Sequence, residues 1–175
     1  MSAAFRNCSK LKISRLSSTL DNIPERLLGG CSSVTQLVIP SCVKTIYNDA
    51  LNEMTNLTSV TFEQNSQLTS VRNNIFRQCT SLTEIIFPNG LTESSGPMCY
   101  GCTSLQKIDI PATMTSILGS SNFGSCPNLT TLIVRATVPP TLNNDLSFSN
   151  NTTVYVPDAS VADYKAAAFW SGKAS

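Results

Sequence analysis

Seven cysteines, eleven carboxylates and no histidine define the chemistry open to this chain. Thiols can bridge, hold zinc or attack as nucleophiles, and the last role needs a neighbouring base. With no histidine there is no Cys–His dyad, no Ser–His–Asp triad and no zinc set that uses an imidazole. Cys8, Cys31, Cys79, Cys102 and Cys126 fall one to a segment at near-constant spacing, and thiols arranged in a row do not surround a point as a metal site requires. Glu84 and Asp109 belong to different segments, with no pocket to raise either pKa, so paired acid–base catalysis is unsupported. Gly29-Gly30 runs into Cys31 and opens no phosphate-binding G-x-x-x-x-G-K loop. The expectation is a chain that is not an enzyme and takes no cofactor and no metal.

Composition narrows the partners. A net charge of +1 with 13% charged residues gives no footprint for nucleic acid or for an anionic membrane surface. No apolar run reaches the ~18 residues that a membrane span needs, so membrane insertion is not expected. Solubility rests on Ser, Thr and Asn, a habit that favours an extracellular or virion protein. The opening MSAAFRNCSKLKISRL lacks the apolar core and cleavage site of a signal peptide. Either the protein is not secreted by that route, or the chain is a piece of something longer.

The cysteine spacing is part of a wider pattern. With Cys8, Cys31, Met54, Cys79, Cys102 and Cys126 taken as one position, the steps are 23, 23, 25, 23 and 24 residues. Three residues before each stands Phe5, Leu28, Leu51, Phe76, Cys99 or Phe123; three after stands Leu11, Val34, Leu57, Leu82, Leu105 or Leu129. An L-x-x-I-x-I/F run follows, as in Leu82/Ile85/Phe87 and Leu105/Ile108/Ile110. Alternate inward residues mark a short strand. Pro40, Pro88 and Pro111 end it, because proline cannot donate to a ladder. A second apolar pair closes each unit, such as Leu91 and then Met98. One such strand cannot bury its apolar side alone, whereas stacked copies share a core. A period in the range of about 20–29 residues with this leucine spacing is the signature of a leucine-rich-repeat solenoid. The first unit is degenerate, with Ser14 at an inward position, and the third carries EQNSQ where proline is expected, a two-residue insertion before Leu68.

The wording C-x-S-L-x-x-I-x-I/F-P, with F-x-x-C closing each unit, resembles the BspA-like class of leucine-rich repeats over residues 5–134. The segment TTVYVPDASVADYKAAAFW resembles the strand and helix that commonly close such arrays. The expected fold is therefore an α/β horseshoe-like arc with a single parallel sheet. Residues 1–135 form six units, and residues 136–175 form a loop, strand and capping helix. The resemblance further implies a bacterial or protist surface or secreted protein that binds host or matrix proteins, with related arrays in phage.

Within that frame the repeated cysteines form a buried column of small hydrophobes. Cys99 is buried at the phenylalanine position, and Cys42 lies exposed in the loop after Pro40. Column neighbours point the same way, a poor geometry for bridging, so no disulfide is expected. Asp158 is a candidate N-cap for a helix over about residues 159–169, with Val161, Tyr164, Ala168 and Trp170 against the last unit. Nothing comparable covers the first unit, which predicts either an upstream continuation or another chain against that end. Sequons at Asn7, Asn56, Asn128, Asn150 and Asn151 are candidate glycan acceptors, although those at Asn56 and Asn128 are by-products of the repeated N-L-T.

Function is sought on the outer side of the sheet. The candidate protein-binding face is Gln36, Val38, Ser59, Thr61, Glu84, Ile86, Lys107, Asp109, Thr131 and Ile133, with Ile13 and Arg15 continuing the columns. Glu84 with Lys107, and Ile86 with Asp109, are expected cross-strand neighbours. The plainer reading is a Thr/Val/Ile-rich face kept soluble by a few charges. The leading expectation is a non-enzymatic protein-binding or adhesion module, the C-terminal part of a cell-surface or secreted protein whose partner is a host or matrix protein. The alternative is a structural subunit of a virion assembly, such as a phage tail or fibre, docking on a neighbouring subunit through its N-terminal end.

Overall fold

The residue directly before each cysteine position has a left-handed backbone: Asn7, Gly30, Glu53, Gln78, Gly101 and Ser125, with φ between 57° and 76°. Left-handed geometry ends a right-handed helix. At Cys8, Cys31, Cys79 and Cys102 the N–H instead bonds the carbonyl three residues upstream, as Cys31 to Leu28 at 3.0 Å and Cys79 to Phe76 at 3.2 Å. Each F-x-x-C is thus a closed corner that turns the chain into its next strand. In the computed structural model, which describes residues 3–171, six such corners carry the chain round a solenoid of parallel strands.

Two strands form in each full turn. The longer ones are β2 (Gln36–Ile39), β4 (Ser59–Phe62), β6 (Glu84–Ile86), β8 (Lys107–Ile110) and β10 (Thr131–Val134), joined by β12 (Thr153–Tyr155). The shorter ones, of two residues each, are β1 (Asn22–Ile23), β3 (Thr45–Ile46), β5 (Ser70–Val71), β7 (Glu93–Ser94), β9 (Ser116–Ile117) and β11 (Thr141–Leu142). The short strands make one continuous six-stranded sheet; the long ones form a pair, β2–β4, and a separate four-stranded sheet, β6–β8–β10–β12.

The repeat solenoid of parallel strands with a C-terminal helix is as expected, but its strands divide among three sheets and not one. A second strand of two residues forms in each unit at or between the second apolar positions, as Glu93–Ser94 between Leu91 and Met98, too short for its alternation to register in the sequence. The left-handed corners leave no helix within the turns, and the one α-helix among the described residues is terminal. The expected first strand shrinks to a single bridge between Arg15 and Val38. Ile13, expected on the outer side, packs partly against the core.

The interior is one column of apolar side chains from Leu16 to Trp170. Leu57, Leu82 and Leu105 are fully buried, as are Cys31, Cys79, Cys99 and Cys102. The thiols do more than fill space. Four of them at the corners donate to the carbonyl at the phenylalanine position one turn back: Cys31 to Phe5 at 2.9 Å, Cys79 to Leu51 at 3.2 Å, Cys102 to Phe76 and Cys126 to Cys99 at 3.0 Å. Burial pushes the Cys79 thiol up to about 12. Cys8 is only half-buried at the open first turn. Cys42 is half-buried too and not free, because its thiol donates to the carbonyls of Ser18 and Leu20, both at 3.2 Å.

Other side chains reach back in the same way. Asn56 donates to the Ser32 carbonyl and Asn128 to the Thr103 carbonyl, both at 2.8 Å. The hydroxyls of Thr58, Thr92 and Thr115 donate to the carbonyls of Thr35, Thr69 and Thr92 at 2.9–3.0 Å. The amide nitrogens of Asn56 and Asn128 are therefore committed within the stack, whereas Asn7, Asn150 and Asn151 are exposed.

The last turn is closed by the tail. A 3₁₀ turn (Asp158–Ser160) leads into α1 (Val161–Ala166), shorter than the expected helix. Asp158 makes no side-chain capping bond and lies inside the 3₁₀ turn, so it is not an N-cap. Ala167 is already extended, which ends the helical period and turns Ala168 outward while half-burying Ala167. Tyr164 and Trp170, both buried, pack edge to face at 5.2 Å. The Tyr164 hydroxyl donates to the Ala136 carbonyl at 2.8 Å and the Trp170 indole to the Pro140 carbonyl at 2.9 Å.

The left-handed corners make a direct prediction. Gly101→Ala places a Cβ at φ +76°, 3.2 Å from Gln78 Cγ, and is expected to cost about 1–2 kcal/mol. Gln78→Gly, at the same place in the preceding corner, should stabilise by up to about 1 kcal/mol. Urea unfolding of both variants checks this; equal effects of one sign would contradict it.

Candidate functional site

The outward residues of the long strands follow the expected columns. Gln36 pairs with Ser59 and Val38 with Thr61 across β2–β4. Glu84 pairs with Lys107 and Ile86 with Asp109 across β6–β8. Lys107 pairs with Thr131 and Asp109 with Ile133 across β8–β10. Glu84 and Lys107 form an ion pair at 2.9 Å. Beyond them β12 adds a column that sequence reasoning missed: Tyr155 stands beside Ile133. Ile86 and Tyr155 are the most exposed apolar side chains of the face, at 50% and 54%.

Asp109 is not part of the exposed face. It is 3% accessible, and Arg135 covers it with two parallel bonds, Nε and Nη2 each 2.7 Å from a carboxylate oxygen. Arg135 is the next outward residue after Thr131 and Ile133, so the alternation of β10 carried the signal, one residue past the strand's end. Asp109 in turn raises the pKa of the guanidinium. This bidentate pair is a fixed, half-desolvated feature beside Ile133, unlike the exposed Glu84–Lys107 bridge.

The face is divided. β4 and β6 are neighbours in the stack but are not hydrogen-bonded, and a groove of about 790 Å³ opens there. Its lining includes Thr58–Ser66, Thr83, Glu84 and Ile86–Asn89. Phe62 and Phe87 meet within it at 6.1 Å, their rings tilted by 36°. The two-residue insertion explains the break. It is tied to the preceding turn by Glu63 N–H to the Ile39 carbonyl at 3.0 Å and Gln67 N–H to the Ser41 carbonyl at 2.8 Å. Its reversal at Asn65 is left-handed. Held backward in this way, it cannot follow β6, while the short-strand ladder β3–β5–β7 on the other side stays closed.

Glu63 anchors the insertion. One carboxylate oxygen accepts from Arg15 at 2.7–2.8 Å and the other from the Ser41 N–H at 3.0 Å. The Ser41 N–H first, and then the Arg15 side chain, hold this carboxyl below the usual glutamate range. Among the described residues no three Cys, Asp or Glu side chains gather to hold a metal ion, and no helix is long and apolar enough to cross a membrane.

Turn architecture, corner cysteines and strand wording agree with a family model described as a BspA type leucine-rich repeat region in six copies, which matches residues 1–68 and 63–174. The chain belongs to this BspA-type repeat family. Three solved structures share the fold. The Treponema pallidum leucine-rich repeat protein is 22% identical, with a TM-score of 0.62 over 81% of this chain and 67% of that one. The pneumococcal vaccine antigen PcpA is 20% identical, with a TM-score of 0.61 over 73% of this chain. A leucine-rich cell surface protein of Faecalibacterium prausnitzii is 23% identical, with a TM-score of 0.59 over 87% of this chain. The chain spans 31% of the length of PcpA and 47% of that of the Faecalibacterium protein. No curated protein matches the sequence. Proteins built on this repeat are commonly protein-binding or surface proteins.

Two predictions follow from the charged groups. Arg135→Ala strands the buried Asp109 carboxylate and should cost about 2 kcal/mol, against about 0.5 kcal/mol or less for Lys107→Ala at the exposed bridge. Equal losses in chemical denaturation would refute the distinction. For Glu63 the folded pKa is lowered, so its contribution is present above the unfolded glutamate value and drains as pH falls through the folded one. Melting temperatures taken from about pH 5 down to about pH 2 should fall more steeply for the native chain than for Glu63→Gln; parallel curves would show that the tether is idle.

Proposed function

We propose that this chain is a non-enzymatic protein-binding or adhesion module of a cell-surface or secreted protein, and that its long-strand face takes a host or matrix protein. The observation that carries the reading is the exposure of Ile86 and Tyr155, with half-buried Val38 and Ile133, on two parallel sheets backed by one continuous core. Large apolar side chains left in water on an ordered surface favour a protein contact. Hydroxyls at Ser59, Thr61 and Thr131 and the Glu84–Lys107 pair supply the polar surround that such contacts use. The cell-surface description of the Faecalibacterium protein supports the location.

The test is binding of the immobilised chain to a panel of purified extracellular-matrix proteins by surface plasmon resonance. At least one should bind, and Ile86→Ser and Tyr155→Ser should each weaken it tenfold or more. Binding unmoved by both changes, or no binding across the panel, would overturn the reading.

A second reading has its own observation. At the first turn Phe5 is 47% exposed, and Cys8, Leu11, Ile13 and Leu20 only partly cover the core. That apolar end suits stacking against another subunit, as a virion or fibre component requires. Light scattering separates the two: ordered multimers abolished by Phe5→Ser favour assembly, and a monomer at all concentrations removes it.

A further inference from the structure

Charge is sorted along the stack. Most cations are matched: Arg15 by Glu63, Arg26 by Asp49, Arg72 by Glu93, Arg77 by Glu53, Lys107 by Glu84 and Arg135 by Asp109. The unmatched ones gather at the first turn. Residues 1–20 hold four cations and no carboxylate, and Arg6, Lys10 and Lys12 are exposed with no ion-pair partner. Elsewhere among the described residues only Lys44 and Lys165 stand unmatched. The far end carries the opposite sign: residues 136–171 hold Asp145, Asp158 and Asp163 against Lys165, and Asp158 and Asp163 are exposed and unmatched. Both ends are also apolar. On the first turn Phe5 is exposed, and Cys8, Leu11, Ile13 and Leu20 are only partly buried. On the cap Phe169 is exposed. Tyr164 reaches back to the Ala136 carbonyl, which carries Ala162 and Ala166, two residues to either side on α1, to its outer face; both are exposed.

We propose that the first turn takes the capped end of a second copy of this chain, so that copies stack head to tail. Arg6, Lys10 and Lys12 lie against Asp158 and Asp163, and Phe5 packs on Ala162, Ala166 and Phe169. The proposal rests on the assembly reading of this end and names both the partner and its orientation. Backbone polarity argues against the head-to-head arrangement. The N–H groups of Phe5 and Asn7 donate to the carbonyls of Leu27 and Gly29 in the next corner. The carbonyls of Ala4 and Arg6, at the equivalent places of the first corner, therefore aim out of the stack and accept no backbone bond among the described residues. Two first turns in contact would set carbonyl against carbonyl and cation against cation, and like charges brought together are costly. The head-to-tail contact joins opposite signs. It uses a different surface on each partner, so every copy keeps one of each to offer and the product is an open row, not a closed pair. The long-strand face takes no part in the contact, so a row repeats that face and lets weak contacts there act together.

The test is light scattering of the full chain over a range of concentrations, with one variant blocked at each end. The native chain should form multimers whose mass grows with concentration, and raising the salt from about 50 mM to about 500 mM should weaken their association tenfold or more. Phe5→Ser blocks the first turn and Ala162→Arg blocks the cap, with Asp163→Lys as a second cap variant; all three positions are exposed. Each variant alone should remain a monomer. An equal mixture of Phe5→Ser with either cap variant should give pairs and nothing larger, because one intact first turn meets one intact cap. Multimers that are lost with Phe5→Ser yet persist with both cap variants would overturn head-to-tail stacking and leave the assembly reading standing. A mixture that stays monomeric, or association indifferent to salt, would overturn it in the same way. A native chain that is monomeric at every concentration would end both.

Discussion

The left-handed residue in front of each cysteine position governs this molecule. It stops the chain from continuing as a helix and returns it to a strand at the same point in every turn. Because the reversal recurs at nearly the same place in each unit, equivalent side chains arrive in columns and the interior becomes continuous. Four of the six corners hold this geometry with non-glycine residues, at a local cost of about 1–2 kcal/mol each. From the second corner on, the buried side chains on either side offset that cost, and in four corners the thiol bonded to the turn behind adds to them.

Once the corners are fixed, the two faces of the solenoid behave differently. The two-residue strands form an uninterrupted spine. The longer strands form the broad surface, and there a single departure from the period is enough to part neighbouring strands. The insertion after Phe62 belongs to the earlier turn by its hydrogen bonds, not to the later one. Regularity makes the scaffold, and the longest step, from Met54 to Cys79, makes its concavity.

Much of this was legible in the sequence, for a physical reason. Burial at Leu57, Leu82 and Leu105, and the meeting of Glu84 with Lys107, depend on the period alone, and the period is written in the residues. What was not legible depends on partners far apart or on backbone angles. Asn, Gly, Glu, Gln, Gly and Ser share no side-chain trait that announces a left-handed corner. The burial of Asp109 is decided by an arginine 26 residues later. A run such as Lys165 to Phe169 reads as helix, yet the docking of Trp170 against the Pro140 carbonyl goes with a helix that ends at Ala166. The 25-residue step was visible, but its effect on the sheet turned on which neighbour claimed the extra residues.

The thiols, threonine hydroxyls and the amides of Asn56 and Asn128 that bind one turn to the next aim at main-chain carbonyls. A carbonyl is supplied by any amino acid, so these bonds make no demand on the identity of the neighbouring residue. Where turns are instead tied side chain to side chain, as Arg135 holds Asp109 and Lys107 holds Glu84, the identity of the neighbour does matter. At the last turn Tyr164 and Trp170 lend their own polar hydrogens to the carbonyls of Ala136 and Pro140.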